Sequence, residues 1–83
     1  MKCIREKNQE IKKGYYVNEC GINVDIVIDE TTKEYDNGKI TKKYTLEERE
    51  PGVPYWFIIK EGRNLNAMVK CFNERIQTQD LNA

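Results

Sequence analysis

Asp36-Asn37-Gly38, near the middle of the 83-residue chain, constrains the fold more than any other feature, because Asn-Gly between apolar-alternating segments is a strong β-hairpin signal. Two registers follow from it, and the flanking side chains separate them. A two-residue Asn37-Gly38 loop pairs Asp29 with Leu46 and sets Lys33 against Lys42, which mixes the two faces and opposes like charges. A three-residue loop, with Gly38 in the left-handed position of a G1 bulge, pairs Ile28 with Leu46 and Glu30 with Tyr44. Ile40, Tyr44 and Leu46 then share a core face with Ile26 and Ile28, so the three-residue loop is the expected one. Upstream, Ile22, Val24, Ile26 and Ile28 alternate with Asn23, Asp25 and Asp29, a period-2 pattern interrupted by Val27. One face of that strand is core and the other is wet. The outer half of the hairpin, Glu30 to Lys43, holds too few apolar residues to be buried and should project as a twisted ribbon.

The densest apolar segment is Pro54 to Ile76. Tyr55-Trp56-Phe57-Ile58-Ile59 holds the single Trp and one of two Phe residues, with no polar position before Lys60, and reads as a central strand buried on both faces. After Gly62, Leu65, Met68, Val69, Phe72 and Ile76 fall at i, i+3, i+4, i+7 and i+11, one face of an α-helix. Asn64 is its expected N-cap, and Cys71 sits one position off the stripe. From Thr78 to Ala83 only Leu81 is apolar, and the segment should fray.

Residues 2–13 are rich in Lys, Arg, Glu and Gln, with Cys3, Ile4 and Ile11 the only apolar positions and Lys12-Lys13-Gly14 resembling a helix C-terminus. A thin apolar face fits a short helix and a first strand equally. Tyr15 to Asn18 reads as a strand, Glu19-Cys20-Gly21 as a turn with Gly21 at positive φ, and Pro51-Gly52 as the centre of a type II turn. The expected architecture is α+β: an antiparallel four-stranded β-meander with a C-terminal α-helix packed on one face, and a short N-terminal helix or an extra strand. The chain reads as a single domain over residues 1–83, without repeat or linker.

Fourteen basic residues balance fourteen acidic ones, so no global field holds the chain on nucleic acid or an anionic membrane. No apolar run approaches the ~18–20 residues needed to cross a bilayer, and the N-terminal residues lack a signal-peptide core. Three widely spaced cysteines, Cys3, Cys20 and Cys71, make a poor disulfide framework, so a reducing, cytoplasmic location is expected. The absence of histidine removes the commonest general base and metal ligand.

Residues 14–36 carry a net charge of −5, with Asp25, Asp29, Glu30, Glu34 and Asp36 the candidate metal or acid/base groups. Their spacing does not match an EF-hand loop, and a solvated strand face that discourages edge aggregation is the favoured reading. Cys20 has no His to activate it as a nucleophile. Phosphate-binding loops, Cys-x-x-Cys and Ser-centred elbows are absent, so neither catalysis nor a cofactor or metal is expected. A single covering helix should also leave little room for a small-molecule pocket of about 300 Å³.

Five Tyr residues and Trp56 exceed what one helix can cover, and Tyr and Trp dominate protein interfaces. By elimination, the expected function is that of a small protein-binding module that docks on another intracellular protein and modulates it. In size and style only, the chain resembles phage- and mobile-element-encoded inhibitors of host defence. The expected contacts are Tyr16, Tyr35 and Tyr44 with the hairpin tip, Asp36, Asn37, Lys39, Lys42 and Lys43. The alternative is a nucleic-acid-binding accessory using Lys2, Arg5, Lys12, Lys13, Lys42 and Lys43, since residues 1–13 carry +3. Homodimerisation is compatible with either.

Overall fold

Four antiparallel strands, β1 (Cys3–Val17), β2 (Asn23–Tyr35), β3 (Ile40–Arg49) and β4 (Phe57–Gly62), are followed by a helix, α1 (Leu65–Leu81). The computed structural model describes residues 1–81, with side chains described through Ile76. The strands lie in the order β1-β2-β3-β4, an α+β meander with α1 packed on one face and with β1 and β4 as its two edges.

The hairpin adopts the three-residue loop: Ile28 pairs with Leu46, Glu30 with Tyr44, and Gly38 takes φ 84°. Gly38 N–H donates to Tyr35 O (3.0 Å) and Tyr35 N–H to Lys39 O (2.9 Å). Gly21 (φ 79°) and Gly52 (φ 83°) hold the left-handed turn positions that their neighbours imply. At the first turn the Asn18 carboxamide oxygen accepts from Cys20 N–H (2.9 Å) and Ile22 N–H (3.0 Å), fixing the entry to β2.

The core lies between α1 and the near half of the sheet. Ile26, Ile28, Tyr44 and Leu46 meet Met68 and Phe72, with Tyr16, Ile59, Leu65, Val69, Cys71 and Ile76 packed around them. The helix starts as its sequence requires, Ala67 N–H donating to Asn64 Oδ1 (3.2 Å). It continues to Leu81, past Thr78 where the sequence suggested fraying; Asn82 and Ala83 lie outside the described residues. Gly14 sits in β1 directly under it. A Cβ there would lie 2.9 Å from Phe72 Cζ and 3.2 Å from Ile76 Cδ1, so its role is close approach of helix to sheet and not helix termination.

Three expectations are narrowed or corrected. Of the two alternatives for the N-terminal segment the strand holds and the helix does not: it is the outer part of one 15-residue strand, β1, continuous with Tyr15 to Val17, which pairs with β2 from Cys3↔Tyr35 to Val17↔Asn23 with irregularities at Ile4 and Ile11. Its thin apolar face follows from pairing along the ribbon, where there is no core to meet. Second, Tyr55 to Ile59 is not a central buried strand. Strand β4 is the sheet edge, and of the run only Ile59 packs against the core. Third, Ile22 and Ile40 have the parity of the core face but are exposed, because Ile22 precedes β2 and Ile40 lies out on the ribbon. The ribbon makes the molecule long: its extents are 51 × 27 × 14 Å, and its radius of gyration of 15.2 Å exceeds the about 12 Å of a compact domain this size.

Candidate functional site

The expected contact residues do not form one surface. Tyr44 is 8% exposed and belongs to the core; burial first, then a hydrogen bond and proximity to Glu30, push its hydroxyl pKa up. Tyr16 is half-buried: its hydroxyl donates to Glu48 Oε2 and accepts from Arg75 Nη1 (3.3 Å), while Arg75 Nη1 also reaches Glu48 Oε2 (3.1 Å). This three-member network ties α1 to β1 and β3. Along β2, the partner of Tyr16, Val24, is eleven residues from Tyr35, which at about 3.3 Å per residue separates Tyr16 from the hairpin tip by roughly 36 Å.

The hairpin tip itself is clamped to the N-terminus. Asp36 N–H donates to Lys2 O (2.9 Å), Asn37 Nδ2 to Met1 Sδ (3.2 Å), and Asn37 Oδ1 accepts from Lys39 N–H (3.0 Å). Lys42 and Lys43 occupy successive strand positions and so point to opposite faces. Lys42 Nζ lies 3.7 Å from Glu30, and Lys43 Nζ 3.3 Å from Glu61. Arg5 likewise sits 3.9 Å from Glu34, and Lys33 3.8 Å from Glu6. These pairings set four basic side chains of the ribbon, Arg5, Lys33, Lys42 and Lys43, beside carboxylates, with Lys42 and Lys43 on different faces.

The surface that sequence reasoning missed is at β4. Tyr55, Trp56, Phe57 and Ile58, read from sequence as core, are between 36% and 57% exposed. Tyr55 and Phe57 make an edge-to-face pair with ring centroids 5.0 Å apart, and the Arg49 guanidinium lies 4.7 Å from the centre of the Trp56 ring. Phe57 and Ile58 open the edge strand and Tyr55 and Trp56 lead into it, and large apolar side chains at a sheet edge are unusual, since edges are normally blunted by charge. Charge and irregularity do appear in the second half of the strand, where Lys60 and Glu61 follow a register shift between Leu46 and Glu47 that leaves Ile59 as the extra residue.

Ile58 pairs with Glu47, and Glu47 in turn with Val27, so Ile58 lies on the face of the sheet opposite the helix. That face carries Glu10 opposite Asp29, and Tyr15 opposite Asp25, which pairs on its other side with Arg49. Burial, followed by a hydrogen bond and repulsion from Asp29, pushes the Glu47 carboxyl pKa up, against the lowering effect of the Thr45 hydroxyl. Two partly open depressions of about 380 Å³ each are larger than a single covering helix suggested, one lined by Glu10, Asp29, Thr45 and Glu47 and the other by Lys33, Lys43, Ile58, Glu61 and Arg63. Among the described residues no group of three His, Cys, Asp or Glu side chains is arranged to hold a metal ion. No described helix is long and apolar enough to cross a membrane. Comparison of the chain with protein-family models, characterised proteins and solved structures found no match to any of them.

Proposed function

We propose that this chain is a non-enzymatic docking module that binds another protein through the β4 edge and modulates it, an inhibitor being the form most in keeping with its size. The supporting observation is the exposed run Tyr55-Trp56-Phe57-Ile58. A soluble monomer rarely exposes contiguous large apolar side chains without a binding role, and aromatic residues dominate interface energetics. This moves the proposed contacts from the hairpin tip to the opposite end of β3, because Tyr16 and Tyr44 already serve the core. The nucleic-acid reading loses support, since Lys42 and Lys43 diverge and pair with glutamates.

A photo-crosslinker in place of Phe57, with a control at Lys39, tests this in lysate. The docking reading expects a nuclease-resistant protein adduct at position 57, suppressed by excess unlabelled chain and lacking at position 39. No adduct, or one that nuclease abolishes, contradicts it.

A further inference from the structure

The nine carboxylates carried on the four strands divide into two groups. Glu6, Glu30, Glu34, Glu48 and Glu61 each have a basic partner within 4 Å. Among the described residues Glu10, Asp25, Asp29 and Glu47 have none. All four of the latter lie on the helix-free face, in adjacent cross-strand rows: Tyr15–Asp25–Arg49, Lys13–Val27–Glu47–Ile58, and Glu10–Asp29–Thr45–Glu61. Lys13 and Arg49 are the cations in these rows not already paired with a carboxylate, and Arg49 is stacked on Trp56. Four unpaired carboxylates against two cations leave these rows net negative beside Ile58 and the Arg49-stacked Trp56, with Glu47 directly opposite Ile58, while Phe57, paired with Glu48, lies on the helix side. Exposed Tyr15 flanks the carboxylates on the β1 side.

We propose that the partner surface seated on this face is basic: a protein segment that sets an aliphatic or aromatic side chain against Trp56 and Ile58 and brings Lys or Arg over Glu47 and Asp29. The inference rests on the docking reading above and adds the chemistry of the occupant. A partner cation relieves the Asp29–Glu47 repulsion at the moment of binding, and an apolar anchor removes the strip from water. Other occupants fit less well. Nucleic-acid phosphates meet the wrong sign of charge. A second copy that met these rows with its own would bring two net-negative patches together.

The test uses the folded chain as bait for a displayed library of random dodecapeptides. Binders are then measured against wild type, Ile58→Ser and the double variant Asp29→Asn/Glu47→Gln. Because the double variant removes a like-charge contact without changing side-chain shape, it should fold at least as well as wild type, so lost binding is not lost structure. The proposal expects enriched peptides that combine Lys or Arg with a large apolar residue. It also expects about tenfold weaker binding to the double variant, weaker binding to Ile58→Ser, and a marked decline with added salt. Enriched peptides without basic residues, or indifferent to the double variant, leave the docking reading standing and overturn the basic partner. No enrichment of any peptide, or enrichment indifferent to Ile58→Ser, counts against both.

Discussion

At the scale of single residues, three positions carry the account. Gly14 is needed for its missing Cβ: the ring of Phe72 occupies that space, and Gly14→Ala must displace a buried aromatic or the strand. Thermal unfolding should show it destabilised by about 1–3 kcal/mol, as overpacked cores are. Tyr16 carries a hydroxyl pKa pushed up to about 12 by burial and by the Glu48 hydrogen bond. A folded pKa above the unfolded value of about 10 gives stability that is fully present below pH 10 and is lost as pH rises toward 12. Denaturant titrations at pH 9 and pH 11.5 should therefore differ in wild type, and differ less in Tyr16→Phe. Glu47 shifts in the same direction from an ordinary carboxyl value, so its contribution is fully present below about pH 4.5 and falls as pH rises through the raised folded value. Glu47→Gln is expected to stabilise the chain at pH 7 by about 0.2–1 kcal/mol, the cost of opposed like charges on a sheet. A destabilised Glu47→Gln at pH 7 would show that the Asp29–Glu47 contact is favourable as it stands.

The elements differ in how much of them the sequence reveals, and the reasons are physical. The hairpin register was legible because only one loop length places Ile26, Ile28, Tyr44 and Leu46 on a common face. Helix α1 was legible because Leu65, Met68, Phe72 and Ile76 repeat at helical spacing behind a capping Asn64. Strand β4 was not. An uninterrupted apolar run has no polar positions to show which sides meet water, and whether a strand lies at the centre or edge of a sheet depends on strand order, which no local pattern carries. Strand β1 was ambiguous for the converse reason: in its outer part both faces are polar, so neither a 2.0 nor a 3.6 period stands out. The missed β4 surface left one sign in the sequence, a count of Tyr and Trp too large for a single helix to cover. At this scale the separation of roles is testable. Phe72→Ala, which empties the contact between helix and sheet, should cost about 3–5 kcal/mol. Ile58→Ser, on the exposed edge, should stay within about 0.5 kcal/mol of wild type, as surface changes do.

On the scale of the whole molecule, one end holds the core and the other is a three-stranded ribbon formed by β1, β2 and β3, closed at its tip by the Asp36–Lys2 hydrogen bond. The ribbon is held by ladder bonds and by surface ion pairs that contribute little individually, so amide exchange should be fastest along its outer half and slowest at Ile26, Ile28 and Leu46. The exposed apolar strip lies beside the rigid end. A binding face backed by the core loses less conformational freedom on association than one carried on the ribbon, which is a physical reason to place docking at β4 and not at the hairpin tip.

The single tryptophan makes the central claim directly measurable. If Tyr55 to Ile58 form an exposed edge of the free protein, Trp56 fluorescence in the folded chain at low concentration should be quenched readily by acrylamide, little altered by Ile58→Ser. A folded, monomeric chain whose Trp56 resists the quencher would place the aromatic run inside the protein after all, and the docking surface with it would be lost.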